Sequence, residues 1–192
     1  PHPKITLPRQ MFADLGKQSR PNSSGLNLAN EQQLASLAAG LLRSTQISYA
    51  AAATVADVAP WQAANAAADG WQAVLNPADL RDPVGWVRPA TANEVELAAR
   101  RAASAAQIWQ VTPPQERAAC LRRAADLLEQ RTQTILGLIV REAGKSLPNA
   151  VSEVREAVDF LRYYAAQVDA TFDNETQRAL GVVLCISPWN FP

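Results

Sequence analysis

Cysteine, histidine, net charge and long apolar runs are all scarce in this chain of 192 residues. Its two cysteines, Cys120 and Cys185, stand far apart, one on a predicted helix and one in a predicted strand. They give neither a disulfide framework nor metal-ligand spacing. The one histidine, His2, lies between prolines and carries no argument for acid–base or metal chemistry. Eighteen basic residues balance eighteen acidic ones, so no basic field points to nucleic acid and no acidic tail to a solvated arm. No apolar run approaches the roughly 20 residues of a membrane span, and no stretch has the layout of a signal peptide. A reduced, cytoplasmic protein is the expectation. Aromatics are 6% of the chain while apolar residues reach 48%, much of it alanine, which suits a helix-rich globular protein rather than a β-sandwich.

What the chain does carry is punctuation and helical periodicity. Residues 1–29 hold several prolines and glycines and read as an extended connector. Asn30 is placed to cap a short helix with Leu34, Leu37, Leu41 and Leu42 on one face. An alanine-rich stretch from Tyr49 to Asn76 repeats Trp61-Gln62-Ala63 as Trp71-Gln72-Ala73. One recurrence is too little for a solenoid and reads as a local duplication in a linker. Asn76-Pro77-Ala78-Asp79 predicts a turn, and Val84-Gly85-Trp86-Val87 a short strand.

Helices dominate the rest of the chain. Thr91-Ala92-Asn93-Glu94 has the form of a capping box, followed by Val95, Ala98, Ala102, Ala105, Ile108 and Trp109 at helical spacing. Thr112-Pro113-Pro114-Gln115 is expected to open a second helix the same way, with prolines in the first turn and Ala118, Leu121, Ala125 and Leu128 facing inward. A third run over about 134–140 stops at Ala143-Gly144. In the fourth, Val151, Val154, Val158, Leu161, Ala165 and Val168 mark the buried stripe, with Arg155 and Asp159 four apart on the solvated side. After a polar stretch, residues 180–187 read as a strand buried on both faces, running into Pro188-Trp189-Asn190-Phe191-Pro192. Such a strand needs sheet neighbours, and the chain starts at Pro1 rather than Met. It therefore reads as a piece of a larger protein.

Several of these residues carry a resemblance. Asn76-Pro77, Glu116-Arg117, Arg141-Glu142-Ala143-Gly144-Lys145, Tyr163-Tyr164-Ala165 and the closing Pro-Trp-Asn-Phe-Pro resemble, in order and spacing, the amino-terminal part of the aldehyde dehydrogenase superfamily. Three segments are similar, more narrowly, to the bifunctional proline utilisation A proteins: Arg20 to Leu26, Glu153 to Tyr164, and Cys185 to Asn190. In that family an FAD-dependent proline dehydrogenase barrel precedes an NAD-dependent dehydrogenase for glutamate semialdehyde (1-pyrroline-5-carboxylate). The resemblance implies an α/β fold, with helices packing on the start of a Rossmann-like sheet after a connector leaving a (β/α)8-type barrel. Residues 1–29 would end the proline dehydrogenase region, 30–75 would be a helical and Ala-rich linker, and 76–192 the first part of the aldehyde dehydrogenase domain. It also implies a homo-oligomer with proline and glutamate semialdehyde as substrates. DNA binding as a transcription repressor, and peripheral association with the inner face of the cytoplasmic membrane, would belong to regions outside the chain. A monofunctional aldehyde dehydrogenase with an amino-terminal extension, or a non-catalytic helical interaction module, are the alternatives.

Aldehyde oxidation through a cysteine needs a thiolate, an oxyanion donor, a base and a hydride acceptor. By resemblance Asn190 holds the substrate oxygen; its amide offers two N–H donors with no charge to desolvate, and donors aimed at a forming alkoxide lower the barrier. An asparagine that merely serves its own turn is the plainer alternative. The resemblance also places the main chain of Ile186, Ser187, Pro188 and Trp189 against NAD, at a strand's carboxyl end; by composition alone these are core strand residues. Glu156 matches the helix carboxylate that meets the substrate amino group, with Glu153 able to share its face. A solvated charge is the plain reading of either. Cys185 and Cys120 read as buried and inert, the reactive cysteine and base being implied outside the chain. Gly144-Lys145 lacks the rest of a phosphate loop, so Arg141 to Lys145 reads as a helix stop.

Overall fold

The computed structural model describes residues 2–55, 69–188, 190 and 191. After two short 3-10 turns come α1 (Glu31–Ser44), β1 (Tyr49–Ala51), β2 (Gln72–Asn76), β3 (Asp79–Val87), α2 (Ala92–Trp109), α3 (Pro114–Gln130), α4 (Thr132–Ala143) and α5 (Leu147–Thr171). Helix-rich α/β is thus the architecture found. The sheet has the order β1-β3-β2, with β1 parallel and β2 antiparallel to β3. Neither β1 nor β2 is announced by alternation in the sequence. Pro77 and Ala78 form the predicted turn between β2 and β3, where Asn76 accepts a hydrogen bond from the Ala78 N–H at 2.9 Å. Pro83 lies inside central strand β3 although it has no N–H to donate. The ladder shifts register around its partner Leu75, which is how a strand accommodates such a residue.

Two helix contacts make the core. Leu37 of α1, Leu136 and Ile139 of α4, and Ala150 and Val154 of α5 form one buried cluster. Small residues set the approach of α1 and α4: a Cβ on Gly40 would collide with Gln133, and one on Gly137 with the Ser44 side chain. The buried stripe of α1 is consequently Leu37, Gly40 and Ser44. Leu34 and Leu42, expected on it, are exposed, because the face that Gly40 opens to α4 is the one carrying Leu37 and Leu41. Second, α3 lies along α5, and Ala118 and Ala125 of α3 and Val158, Ala165 and Ala166 of α5 are all buried.

The caps divide. Asn30 caps α1 by accepting from Gln33 N–H at 3.0 Å. At Thr91 both halves of the capping box form. Gly144 ends α4 in the left-handed region at φ 64°. Thr112 does not cap α3; its hydroxyl donates back to the Ile108 carbonyl, and Pro113 takes the cap position with Pro114 opening the helix. Helix α2 buries none of its residues.

The largest departure is at residues 180–187. They form no strand: the segment has no regular secondary structure, with Leu180 98%, Leu184 82% and Ile186 83% exposed. An apolar strand gains its stability from neighbours that cover both faces, and no described strand lies beside this one. The repeat at Trp61 and the residues Trp189 and Pro192 fall outside the described residues.

Candidate functional site

Gly144 turns the chain out of α4, and the following side chain, Lys145, crosses to the start of α5 and to the terminal turn. There it pairs with Glu153, donates to the main-chain carbonyl of Asn190, and stands 5.1 Å from the ring centroid of Phe191. Both members of the ion pair are mostly covered, at 20% and 13% side-chain exposure. The second Glu153 oxygen is buried without a hydrogen-bond partner. The turn closes on itself through Phe191 N–H to the Pro188 carbonyl at 3.1 Å. Asn190 is exposed, and its side-chain amide takes part in none of the hydrogen bonds described, the turn being held by main chain instead. Sequence reasoning passed over Lys145 as part of a helix stop, and Glu153 as a solvated neighbour of Glu156.

The other expected site residues are less organised. Ile186, Ser187 and Pro188 are exposed in the irregular segment, and Trp189 lies outside the described residues. Cys185 is exposed rather than buried, because the strand meant to cover it does not pair. Cys120 is half-buried on α3, with Arg123 Nη2 donating to its sulfur at 3.3 Å. Glu156 is exposed on α5. A dinucleotide needs a formed strand end or a helix N-terminus to approach. The described residues 180–188 make no such cradle.

A second constellation joins the connector to the helices. Asp159 of α5 accepts from Ser23 N–H at 2.6 Å and from the Ser23 hydroxyl at 2.8 Å, while Arg155 Nε donates to that hydroxyl at 3.2 Å. Glu129 of α3 accepts from Ser24 N–H at 2.6 Å and from Arg162 at 2.7 Å. Arg162 is 6% exposed and also reaches Asp126 at 3.0 Å and the Asn22 carbonyl at 3.5 Å. Burial pushes the Glu129 carboxyl up, but the hydrogen bonds from Arg162 and Ser24 outweigh it and hold the group below its ordinary value. Arg155 and Asp159 therefore face the connector and not solvent, and no ion pair between them is described. Elsewhere Arg141 forks onto Asp82 of β3, with Nε to Oδ2 at 3.0 Å. That contact, with Asn76, lowers the Asp82 carboxyl and ties the sheet to α4.

With this geometry in hand, comparison with known proteins defines the class. Residues 48–192 match the aldehyde dehydrogenase family, and the chain belongs to that family. Over its whole length it is similar to the bifunctional protein PutA of Salmonella typhimurium, with 52% identity. The chain spans 14% of that relative's length. 1-Pyrroline-5-carboxylate dehydrogenase 2 of Bacillus subtilis is 36% identical over 61% of this chain, which is 25% of that protein. Among solved structures, a variant of Bradyrhizobium japonicum proline utilization A (PutA) superposes with a TM-score of 0.57 at 31% identity, covering 86% of this chain and 12% of that one.

Proposed function

We propose that the chain is the junction of a bifunctional enzyme that oxidises proline to glutamate. It would carry the exit from an FAD-dependent proline dehydrogenase and the first part of an NAD-dependent glutamate-semialdehyde dehydrogenase. One observation carries the reading. The Bacillus dehydrogenase matches 61% of the chain and the bifunctional relative matches all of it, while residues 20–26, which precede the family match, are bound into α3 and α5 within it. A connector hydrogen-bonded to the dehydrogenase helices has a use where another domain precedes it.

In this reading residues 1–29 leave the proline dehydrogenase, 30–75 form a linker whose α1, β1 and β2 pack onto the dehydrogenase helices and sheet, and 76–192 carry the first part of the dehydrogenase beyond it. The chemistry here falls to Asn190. As a thiolate from elsewhere in the parent adds to the aldehyde carbon, the carbonyl oxygen becomes an alkoxide, and the Asn190 amide donates to it. The open side-chain amide supports this role over that of a turn residue. Glu156, exposed on α5, is the proposed partner of the substrate amino group, and the main chain at Ile186 to Trp189 would meet NAD only with residues 180–187 seated in a sheet. The parent would act as a homo-oligomer. Transcriptional repression and peripheral membrane contact would lie with regions outside the chain.

The full-length protein tests the proposal directly. Proline should drive reduction of an artificial electron acceptor, and glutamate semialdehyde should drive NAD reduction, in one polypeptide. A protein that oxidises the semialdehyde but leaves proline untouched would be monofunctional. The 192-residue chain alone should form no NADH and show no saturable NAD binding below millimolar.

A further inference from the structure

We infer that Lys145 is a positioning residue for aldehyde oxidation: its ammonium holds the main chain of Asn190 and so leaves the side-chain amide free for the substrate oxygen. The inference rests on the proposed role of Asn190. Among the described residues, no hydrogen bond joins 180–188 to the helices or the sheet, and Lys145 supplies the ties of the Asn190 turn to the folded body through the Asn190 carbonyl and the Phe191 ring. A donor amide works only where its direction is fixed before the charge forms, and an unanchored turn cannot fix it.

Lys145 is itself held from two sides. Gly144 must adopt a positive φ, and a Cβ there would press on Pro77 at 3.0 Å, so the exit path from α4 is narrow. Glu153 then fixes the ammonium from α5. At 20% and 13% exposure the pair is not a solvated surface bridge of the kind that contributes little. Its placement is explained by the group it holds, because one Glu153 oxygen remains buried without a partner and the pair is not arranged to satisfy itself.

The test uses the full-length protein with glutamate semialdehyde. Lys145→Met should lower kcat by about 10–100-fold, the cost of a reacting group misplaced by about an ångström, with KM changed less than about threefold. Lys145→Arg, which can still pair with Glu153 and donate to a carbonyl, should recover most of the loss. Because Lys145→Met strands a covered carboxylate, Lys145→Met with Glu153→Gln is measured beside it and should show the same kcat defect in a stably folded protein. Adding Asn190→Ala to Lys145→Met should cost little beyond Asn190→Ala alone, since both act on one donor. Multiplicative losses, or full activity in Lys145→Met beside an impaired Asn190→Ala, would overturn the inference and leave the role of Asn190 standing. Full activity in Asn190→Ala would instead overturn the reading beneath it.

Discussion

Residues 20–26 and 180–188 both lack regular secondary structure, yet one is fastened and the other is not. In the first, the Ser23 and Ser24 N–H groups find carboxylates on α5 and α3, and a buried arginine takes the Asn22 carbonyl. In the second, the side chains are apolar and more than half exposed at every large position. The difference lies in what each segment needs. A polar main chain is satisfied by two or three well-placed charged groups, each such hydrogen bond being worth about 1.5–3 kcal/mol. Apolar side chains are stabilised only by covered area, about 25 cal/mol per Å², and no described strand or helix covers them.

The comparison can be broken at five points, taken from the largest effect to the smallest. Asn190→Ala in the full-length protein should lower semialdehyde oxidation by roughly 10²–10³-fold, and Asn190→Asp at least as much, since it sets a negative charge beside a forming alkoxide. Proline-dependent reduction should be unchanged in both, as steady-state assays of the two activities will show. Arg162→Ala should destabilise the chain by about 3 kcal/mol, because it strands the half-buried Glu129 carboxylate and the Asn22 carbonyl. The urea midpoint reports this, and protease cleavage near residues 20–26 should rise with it.

Asp159→Ala leaves the Ser23 N–H and O–H donors without their acceptor, while Arg155 still bonds the hydroxyl oxygen, and should cost about 2 kcal/mol. The same region has an acid signature. Glu129 is held below its ordinary value, so the unfolded state binds more protons between the two pKa values. The stability it contributes is present above the unfolded value of about 4.3 and is lost as pH falls through the folded one. Glu129→Gln should flatten the pH dependence of the melting temperature below about pH 4; an unchanged slope would locate the acid lability in other carboxylates. Last, Leu184→Lys should alter stability by less than about 0.5 kcal/mol while reducing self-association in sedimentation, since charge interrupts an apolar, unpaired segment. A loss well above that would mean the segment is packed in solution.

Local chemistry made much of the fold legible. The Thr91 capping box, the Asn30 cap, the Gly144 stop and the 3-and-4 spacing of Val151, Val154 and Val158 each depend on residues within one or two turns, and each forms. The short strand β1 escaped notice because its three residues carry no alternation. It exists through parallel pairing with β3, where Gly85 lets the Tyr49 carbonyl approach. The α1 stripe is legible at Leu37 and Leu41 but not at Leu34 and Leu42, because leucines advertise burial and the glycine that permits contact does not.

The sequence by itself determined the helices, most of their caps, the family and the asparagine between two prolines, because caps, periodicity and short motifs act over a few residues. Only the tertiary structure decided that Arg155 and Asp159 serve the connector, that Arg162 is buried beneath Asn22, and that Lys145 and Glu153 meet at the Asn190 turn. These partners stand up to about 140 positions apart along the chain, as in the Arg162–Asn22 contact. A charged side chain shows no sign in sequence of which distant carbonyl or carboxylate it will satisfy.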